Sequence, residues 1–265
     1  MHAFEYHRPG STKDALALAK TEETRYLAGG QSLVQAMKLR LSSPSDLIDL
    51  GTIKELVGIK VSGSAVEIGA MTRHADVAGS KEVQKAIPAL AMLAGIIGDR
   101  QVRHMGTIGG SLANSDPAAD YPAAVLGLGA TITTNKRKIE ADKYFKGLFE
   151  TALEPGELLT SVSFPVPKRA AYMKFKNPAS RFALVGVFVA DFGGGKVRVA
   201  VTGAGPCAFR QAEMEKALAT KFAPDAVASI KVKQDGLNND LHASPEYRAH
   251  LITVMCKRAV EAALK

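Results

Sequence analysis

Ala28-Gly29-Gly30-Gln31-Ser32-Leu33 is the stretch around which the chain is organised, and Thr107-Ile108-Gly109-Gly110-Ser111-Leu112 is its counterpart. Each sets two adjacent glycines after an apolar or β-branched residue and shortly before a serine. Adjacent glycines reach φ > 0 and leave no Cβ to obstruct a ligand approaching the backbone. The serine can accept hydrogen bonds from the amides of a starting helix turn. Such a turn gathers several N–H groups into one concavity, which suits a phosphate. Either stretch alone reads better as an ordinary strand-to-helix turn, where glycine is common. Together, at opposite ends of the first half of the chain, they fit a diphosphate gripped from both sides.

The 265 residues are enough for two domains of ordinary size. A content of 46% hydrophobic and 23% charged residues is that of a soluble globular protein. No apolar run has the length of a membrane span. The opening Met1-His2-Ala3-Phe4-Glu5-Tyr6-His7-Arg8 has no apolar signal region, so a cytoplasmic location is expected. Cys207 and Cys256 stand far apart without CxxC spacing, which excludes an iron–sulfur or zinc site built from this chain's thiolates alone. The net charge of +8 does not read as nucleic-acid binding, because lysines and arginines are interspersed with acids. The one dense run, Lys136-Arg137-Lys138, reads as a hairpin tip after the β-branched Thr131–Thr134. A basic balance also suits an anionic cofactor or an acidic partner subunit.

Along the chain, Ser11–Lys20 reads as a helix, Arg25–Ala28 as a strand feeding the first glycine pair, and Ser32–Arg40 as a helix ended by Pro44. Asp46–Leu50 closes a β-α-β unit. Short strands follow at Ile59–Val61 and Ala65–Ala70. Val83–Ile97 is a nearly uncharged helical stretch interrupted by Pro88, so it should be deeply buried. Gln101-Val102-Arg103 leads to the second pair. Asp116-Pro117 and Asp120-Tyr121-Pro122 are helix-start signals before a short apolar helix, Ala123–Leu128, that stops at Gly129. Glu154-Pro155-Gly156-Glu157 is a turn, Leu158–Phe164 a strand, and Pro165-Val166-Pro167-Lys168-Arg169 the best linker. The remainder reads as a separate α+β domain. It has strands at Ala171–Lys176, Phe182–Phe192 and Lys196–Thr202, a Gly193-Gly194-Gly195 hairpin turn, and helices at Phe209–Thr220 and from Glu246 onward.

Gly203-Ala204-Gly205-Pro206-Cys207-Ala208 matches G-x-G-x-x-A, yet it does not read as a dinucleotide loop. Pro206 lacks the N–H that a pyrophosphate would need, and the preceding strands run as a hairpin. A plain strand-to-helix turn is expected there. The six histidines form no metal spacing, and no nucleophile–base set is present. His104, just before the second glycine pair, reads as a loop histidine that fixes the turn. A cofactor site without acid–base groups points to a chain that carries a redox cofactor and makes no bonds itself.

Leu27–Leu33 followed by Met37-Lys38-Leu39-Arg40-Leu41 resembles the first FAD loop of the molybdenum hydroxylase flavoprotein subunits. Met105–Ala113 through Asp116–Ala124 resembles the second. The family is that of the carbon monoxide dehydrogenase medium subunit and the xanthine dehydrogenase FAD domain. The likeness extends to Phe4–Pro9, Glu154–Leu159 and Pro245–Arg248. It implies an α+β fold: a two-part FAD-binding domain of the PCMH or vanillyl-alcohol-oxidase type, followed by a smaller α+β domain with an antiparallel sheet. The expected domains are residues 1–168, with subdomains of about 1–57 and 58–168, and residues 169–265.

By the same resemblance, Ala28, Gly29, Gly30, Gln31, Ser32 and Leu33, with Thr107, Ile108, Gly109, Gly110 and Ser111, hold the pyrophosphate of a non-covalent FAD. Asp120 hydrogen-bonds the ribose or pyrophosphate side, and Leu159 supports the adenine end. Lys174 lies near the flavin head, where a cation favours negative charge on the reduced ring. Ile97 and Phe182 pack near the isoalloxazine. Leu159 and Ile97 read equally as simple core. Ser111 stands where the family often has Asn, one amide donor fewer, and Phe182 where the carbon monoxide enzyme's subunit has tyrosine. No cysteine-rich insertion like that of the 4-hydroxybenzoyl-CoA reductase flavin subunit is present.

The function implied is electron transfer within a multi-subunit molybdenum hydroxylase. A large molybdopterin subunit oxidises the substrate, a small subunit passes electrons through two 2Fe-2S clusters, and this chain takes them onto FAD for quinone, NAD or oxygen. A dimer of heterotrimers is expected, cytoplasmic or held to the inner membrane face through its acceptor. The alternatives are a free-standing FAD-dependent oxidoreductase of the same fold and a non-redox nucleotide-binding assembly module. Neither the substrate nor the acceptor follows from the sequence.

Overall fold

Short polar signals set the first elements. In the computed structural model, which describes residues 1–265, strand β1 (Glu5–His7) is followed by helix α1 (Thr12–Leu18). Ser11 caps α1 by accepting the Asp14 N–H at 3.2 Å, satisfying one of the donors that a helix start leaves open. Strand β2 (Arg25–Leu27), helix α2 (Leu33–Lys38) and strand β3 (Asp46–Asp49) form the expected β-α-β unit. The sheet is parallel, in the order β1-β3-β2. Helix α2 stops short of Arg40, which takes a left-handed φ of 60°. Ala15, Ile48, Leu50, Ile53, Leu56, Met71 and Leu158 make the small core of this part.

The middle of the chain begins with the hairpin β4 (Ile59–Ser62) and β5 (Ala65–Gly69). Six short helices follow: α3 (His74–Gly79), α4 (Lys81–Ala86), α5 (Pro88–Gly95), α6 (Arg100–Met105), α7 (Ile108–Asn114) and α8 (Tyr121–Leu128). Pro88 divides the Val83–Ile97 stretch in two, because proline lacks the N–H an interior turn needs yet suits a first helical position. Gln101, Val102 and Arg103 lie within α6. Asp116-Pro117 starts no helix; the Asp120-Tyr121-Pro122 signal does, and Gly129 stops α8 at a φ of 62°. The chain then forms β6 (Thr131–Thr134), β7 (Lys138–Glu140), α9 (Ala141–Tyr144), β8 (Phe145–Gly147), β9 (Glu150–Thr151) and β10 (Leu159–Pro165). An antiparallel sheet results, in the order β4-β5-β10-β6-β7.

The C-terminal part is a second antiparallel sheet. Its order is β11 (Arg169–Lys176), β12 (Ala183–Asp191), β13 (Val197–Thr202) and β14 (Phe209–Arg210). Helices α10 (Ala212–Thr220), α11 (Asp225–Ala228) and α12 (Pro245–Ala263) follow. The helix expected from Phe209 starts only at Ala212, because Phe209 and Arg210 pair with Val201 and Ala200. The Gly203–Ala208 turn therefore joins two strands. Gly203 is bound into the protein itself, donating its N–H to the Pro117 carbonyl at 2.7 Å.

All nine residues of β12 are buried, because both faces of the sheet are covered. Val185, Val187 and Val189 face α12 with Leu251, Ile252, Met255 and Cys256. Phe188 and Ala190 join Tyr172 and the apolar helices α5 and α8 in the largest core. A strand covered on both faces reads as a continuous apolar run, without the alternation of a half-exposed one.

Candidate functional site

The first glycine loop leaves β2 and enters α2. Gly30 takes a φ of 71°, which glycine adopts without strain. The backbone N–H groups of Gly29, Gly30, Gln31, Ser32 and Leu33 donate to no backbone carbonyl. Only at Val34 does the chain turn back, to the Gly30 carbonyl at 3.2 Å. These five consecutive donors, none of them on a buried residue, run from the turn into the unpaired first turn of α2, and they form a nest suited to an anion. Ser32 makes no capping bond, contrary to the role expected of it.

The second loop is built differently. Thr107 caps α7, its Oγ1 accepting the Gly110 N–H at 3.1 Å, so the cap precedes the glycines and Ser111 lies inside the helix. The N–H groups of Ile108, Gly109 and Ser111 go to the carbonyls of Thr72, Ala70 and Thr107 at 3.1, 2.8 and 3.0 Å. Among residues 107–111, only the Thr107 N–H is left without a protein acceptor. Neither Gly109 nor Gly110 has a positive φ. Close approach explains them instead, since a Cβ on Gly109 would lie 2.6 Å from the Ala70 Cβ.

The two loops meet. A Cβ on Gly29 would overlap the Met105 carbonyl, and one on Gly110 would lie 3.3 Å from the Ala28 Cβ. Convergence is as the sequence suggested, but the division of labour is unequal: an open nest from the first loop, a closed helix start from the second.

Asp120 and Lys174, assigned by resemblance to different parts of the cofactor, are brought together. The Lys174 Nζ donates to the Asp120 carboxylate at 2.9 Å and to the Ile96 carbonyl at 3.3 Å. Their side chains are 4% and 1% exposed for Asp120 and Lys174 respectively. The Tyr172 hydroxyl donates to the same carboxylate at 2.6 Å. Burial pushes the Asp120 carboxyl up, opposed by Lys174 and by the Tyr172 hydrogen bond. Sequence reading missed Tyr172, although it lies two residues from Lys174 along β11 and therefore on the same face.

Ile97 is half-buried, and its carbonyl accepts from Arg103 Nη1 at 2.9 Å. Leu159 lies in the largest core beside Val162 and Ile132. Phe182 is 49% exposed. It stands on the wall of a cavity of about 450 Å³ with Asp116, Phe149, Asn177, Asn238 and Arg248. Three of the four non-glycine residues with positive φ, namely Ser115, Phe149 and Arg181, line this cavity or adjoin its lining. Strained backbone of this kind concentrates at functional sites.

The buried histidine nearest the second loop is His74. His104, singled out in the sequence, is exposed on α6. His74 is buried at the start of α3, its ring 5.3 Å from that of Tyr121, and its Nε2 lies 2.6 Å from where a Gly106 Cβ would stand. Burial, aided by the charge of Arg103, pulls its pKa down to about 4. Its Nδ1 and the Tyr121 hydroxyl have no hydrogen-bond partner. No sequence signal marks His74, because only the fold brings it beneath the second loop.

Two family profiles match the chain. "FAD binding domain in molybdopterin dehydrogenase" covers residues 2–167, and "CO dehydrogenase flavoprotein C-terminal domain" covers residues 170–263. The carbon monoxide dehydrogenase medium chain of Afipia carboxidovorans is 38% identical over 98% of this chain and 96% of its own. The glyceraldehyde dehydrogenase medium chain of Sulfolobus acidocaldarius is 36% identical over 97% and 96%. Among solved structures, reconstituted CO dehydrogenase from Oligotropha carboxidovorans superposes with a TM-score of 0.91 at 36% identity, covering 99% of this chain and 98% of that one.

Proposed function

The chain belongs to the FAD-binding medium subunits of the molybdenum-dependent dehydrogenases, and on that footing we propose that it relays electrons through FAD from iron–sulfur clusters to an external acceptor. The family is one of oxidoreductases with FAD in this subunit, and in its carbon monoxide dehydrogenases the partner subunits carry molybdopterin and iron–sulfur clusters. The relay would run from the 2Fe-2S clusters of a small subunit, fed by a large molybdopterin subunit, to quinone, NAD or oxygen. FAD supplies the chemistry, since it holds one or two electrons. The residues of this chain bind and orient it.

The observation that carries the reading is the row of five open N–H groups at Gly29–Leu33, set where the second loop packs against the first. These donors would grip the pyrophosphate. Thr107–Ser111 would brace that grip from behind, with the Thr107 N–H and the Ser111 hydroxyl as its polar contributions. Asp120 and Lys174 would lie beneath the cofactor, Lys174 as the positive charge near the flavin head. Ile97 and Phe182 would flank the ring, with Leu159 behind the adenine end. The cavity at Phe182 supports an approach for the acceptor. A break between residues 168 and 169 would separate the FAD-binding part from the sheet that covers it. A dimer of heterotrimers in the cytoplasm completes the proposal; no helix is long and apolar enough to cross a membrane.

Purified protein tests this directly. The wild-type chain should be yellow and hold one FAD, whereas Gly29→Ala, which forces a Cβ onto the Met105 carbonyl, should lose the flavin bands. A colourless wild type that takes up no added FAD defeats the reading. Co-purification with a molybdenum-containing chain distinguishes a subunit from a free-standing flavoenzyme.

A further inference from the structure

The ion pair between Asp120 and Lys174 is almost fully enclosed, and a third group is built into it. Tyr172 is 1% exposed, its ring stacked on Phe188 at 6.2 Å between centroids. On the facing strand, Gly186 pairs with Lys174, and a Cβ there would overlap the Tyr172 hydroxyl. The strand gives up a side chain at the place where this hydroxyl must reach Asp120. The pair also lies behind the loops. Lys174 holds the Ile96 carbonyl, Arg103 holds the carbonyls of Ile97 and Gly98, and α6 carries Met105 onto Gly29. Asp120 closes the segment that follows α7.

We propose that Tyr172 is a positioning residue for the flavin: its hydroxyl keeps Asp120 ionised, and ionised Asp120 cancels the charge of Lys174, so the cofactor faces a neutral pair instead of a cation. This rests on the FAD reading above and corrects one part of it, the role of Lys174 as a free positive charge. Two opposite charges at hydrogen-bond distance offset much of each other's potential at points farther away than their own separation, whereas either one alone leaves its Coulomb potential uncompensated. Lys176, the other cation that acts on Asp120, lies at the exposed end of β11, where solvent screens it.

The test is the FAD midpoint potential of the purified flavoprotein. Asp120→Asn uncovers Lys174 and should raise the potential, favouring reduced over oxidised flavin by about tenfold, or about 30 mV for a two-electron couple. Lys174→Met should lower it, but by less, because without the cation burial pushes the Asp120 carboxyl toward its neutral form, and the double variant should return close to wild type. Tyr172→Phe, which keeps the ring, should raise it by less than Asp120→Asn. A purely structural role would weaken FAD binding in both redox states without opposite signs. Shifts of the same sign for Asp120→Asn and Lys174→Met, or a wild-type potential in Tyr172→Phe, overturn the inference. Failure of the wild type to bind FAD defeats the reading beneath it as well.

Discussion

At pH values where a free imidazole takes up a proton, His74 stays neutral because it is buried beside Arg103. Its pKa is near 6.5 in the unfolded chain and about 4 in the folded one. Between those values the unfolded state binds the extra proton, so acid favours unfolding. The stability linked to His74 is therefore whole above about pH 6.5 and is lost as the pH falls toward 4, at up to ~1.4 kcal/mol per pH unit. Denaturant melts of wild type and His74→Leu should diverge across this window, with the variant less sensitive to acid; parallel curves would show that His74 does not titrate as described. Residue identities were read most reliably where one loop carries its own chemistry. The nest at Gly29–Leu33 is local, and Gly30 does adopt the left-handed turn. Gly109 and Gly110 were read for the same reason, yet Gly109 exists to meet Ala70, nearly forty residues upstream.

At the scale of elements, the hairpin β6–β7 and the Glu154–Glu157 turn were each legible, but not their union. Glu157, whose side chain is 0% exposed, accepts Arg137 Nε at 3.0 Å and Nη2 at 2.9 Å, the Thr134 hydroxyl at 2.7 Å and the Glu154 N–H at 2.8 Å. Burial alone would raise its pKa; these donors outweigh it and hold the carboxyl at about 2. The stabilisation is present above its ordinary value of 4.5 and is lost as the pH falls through about 2. Glu157→Gln should cost about 2 kcal/mol at neutral pH, less than the ~3–5 of a fully buried pair because Arg137 stays 43% exposed. Chemical denaturation at neutral and acid pH checks this, since the gap between variant and wild type should close as the pH approaches 2. An unchanged gap would mean that lost packing, not charge, sets the cost. Element starts followed from Ser11 and from the Asp120-Tyr121-Pro122 signal, whereas Pro88, read as an interruption, opens a helix of its own. Phe209 escaped the same reading because cross-strand pairing with Val201 overrode its helical neighbours.

For the whole molecule, the decisive contact is between α8 and the C-terminal sheet. Gly127 lets the Phe188 ring come within 2.7 Å of its missing Cβ, joining residues from both halves of the chain in one core. Gly127→Ala should cost about 1–3 kcal/mol through overpacking. A chain of this size should then melt lower by roughly 2–4 °C per kcal/mol. Calorimetry of the purified chain reads this shift, and an unmoved transition would show that the sheet stands off α8 in solution.

The sequence by itself determined the α+β class, the family, most element starts and the open-amide turn at the first glycine pair, because each is carried by residues within about a dozen positions of one another. The Pro165–Arg169 stretch, read as a linker, gives its two ends to β10 and β11. Tertiary structure alone decided that the second loop is closed, that Lys174 is already paired with Asp120, and that His74 lies buried under Gly106. Those facts depend on which distant groups satisfy one another's donors, acceptors and charges once water is excluded.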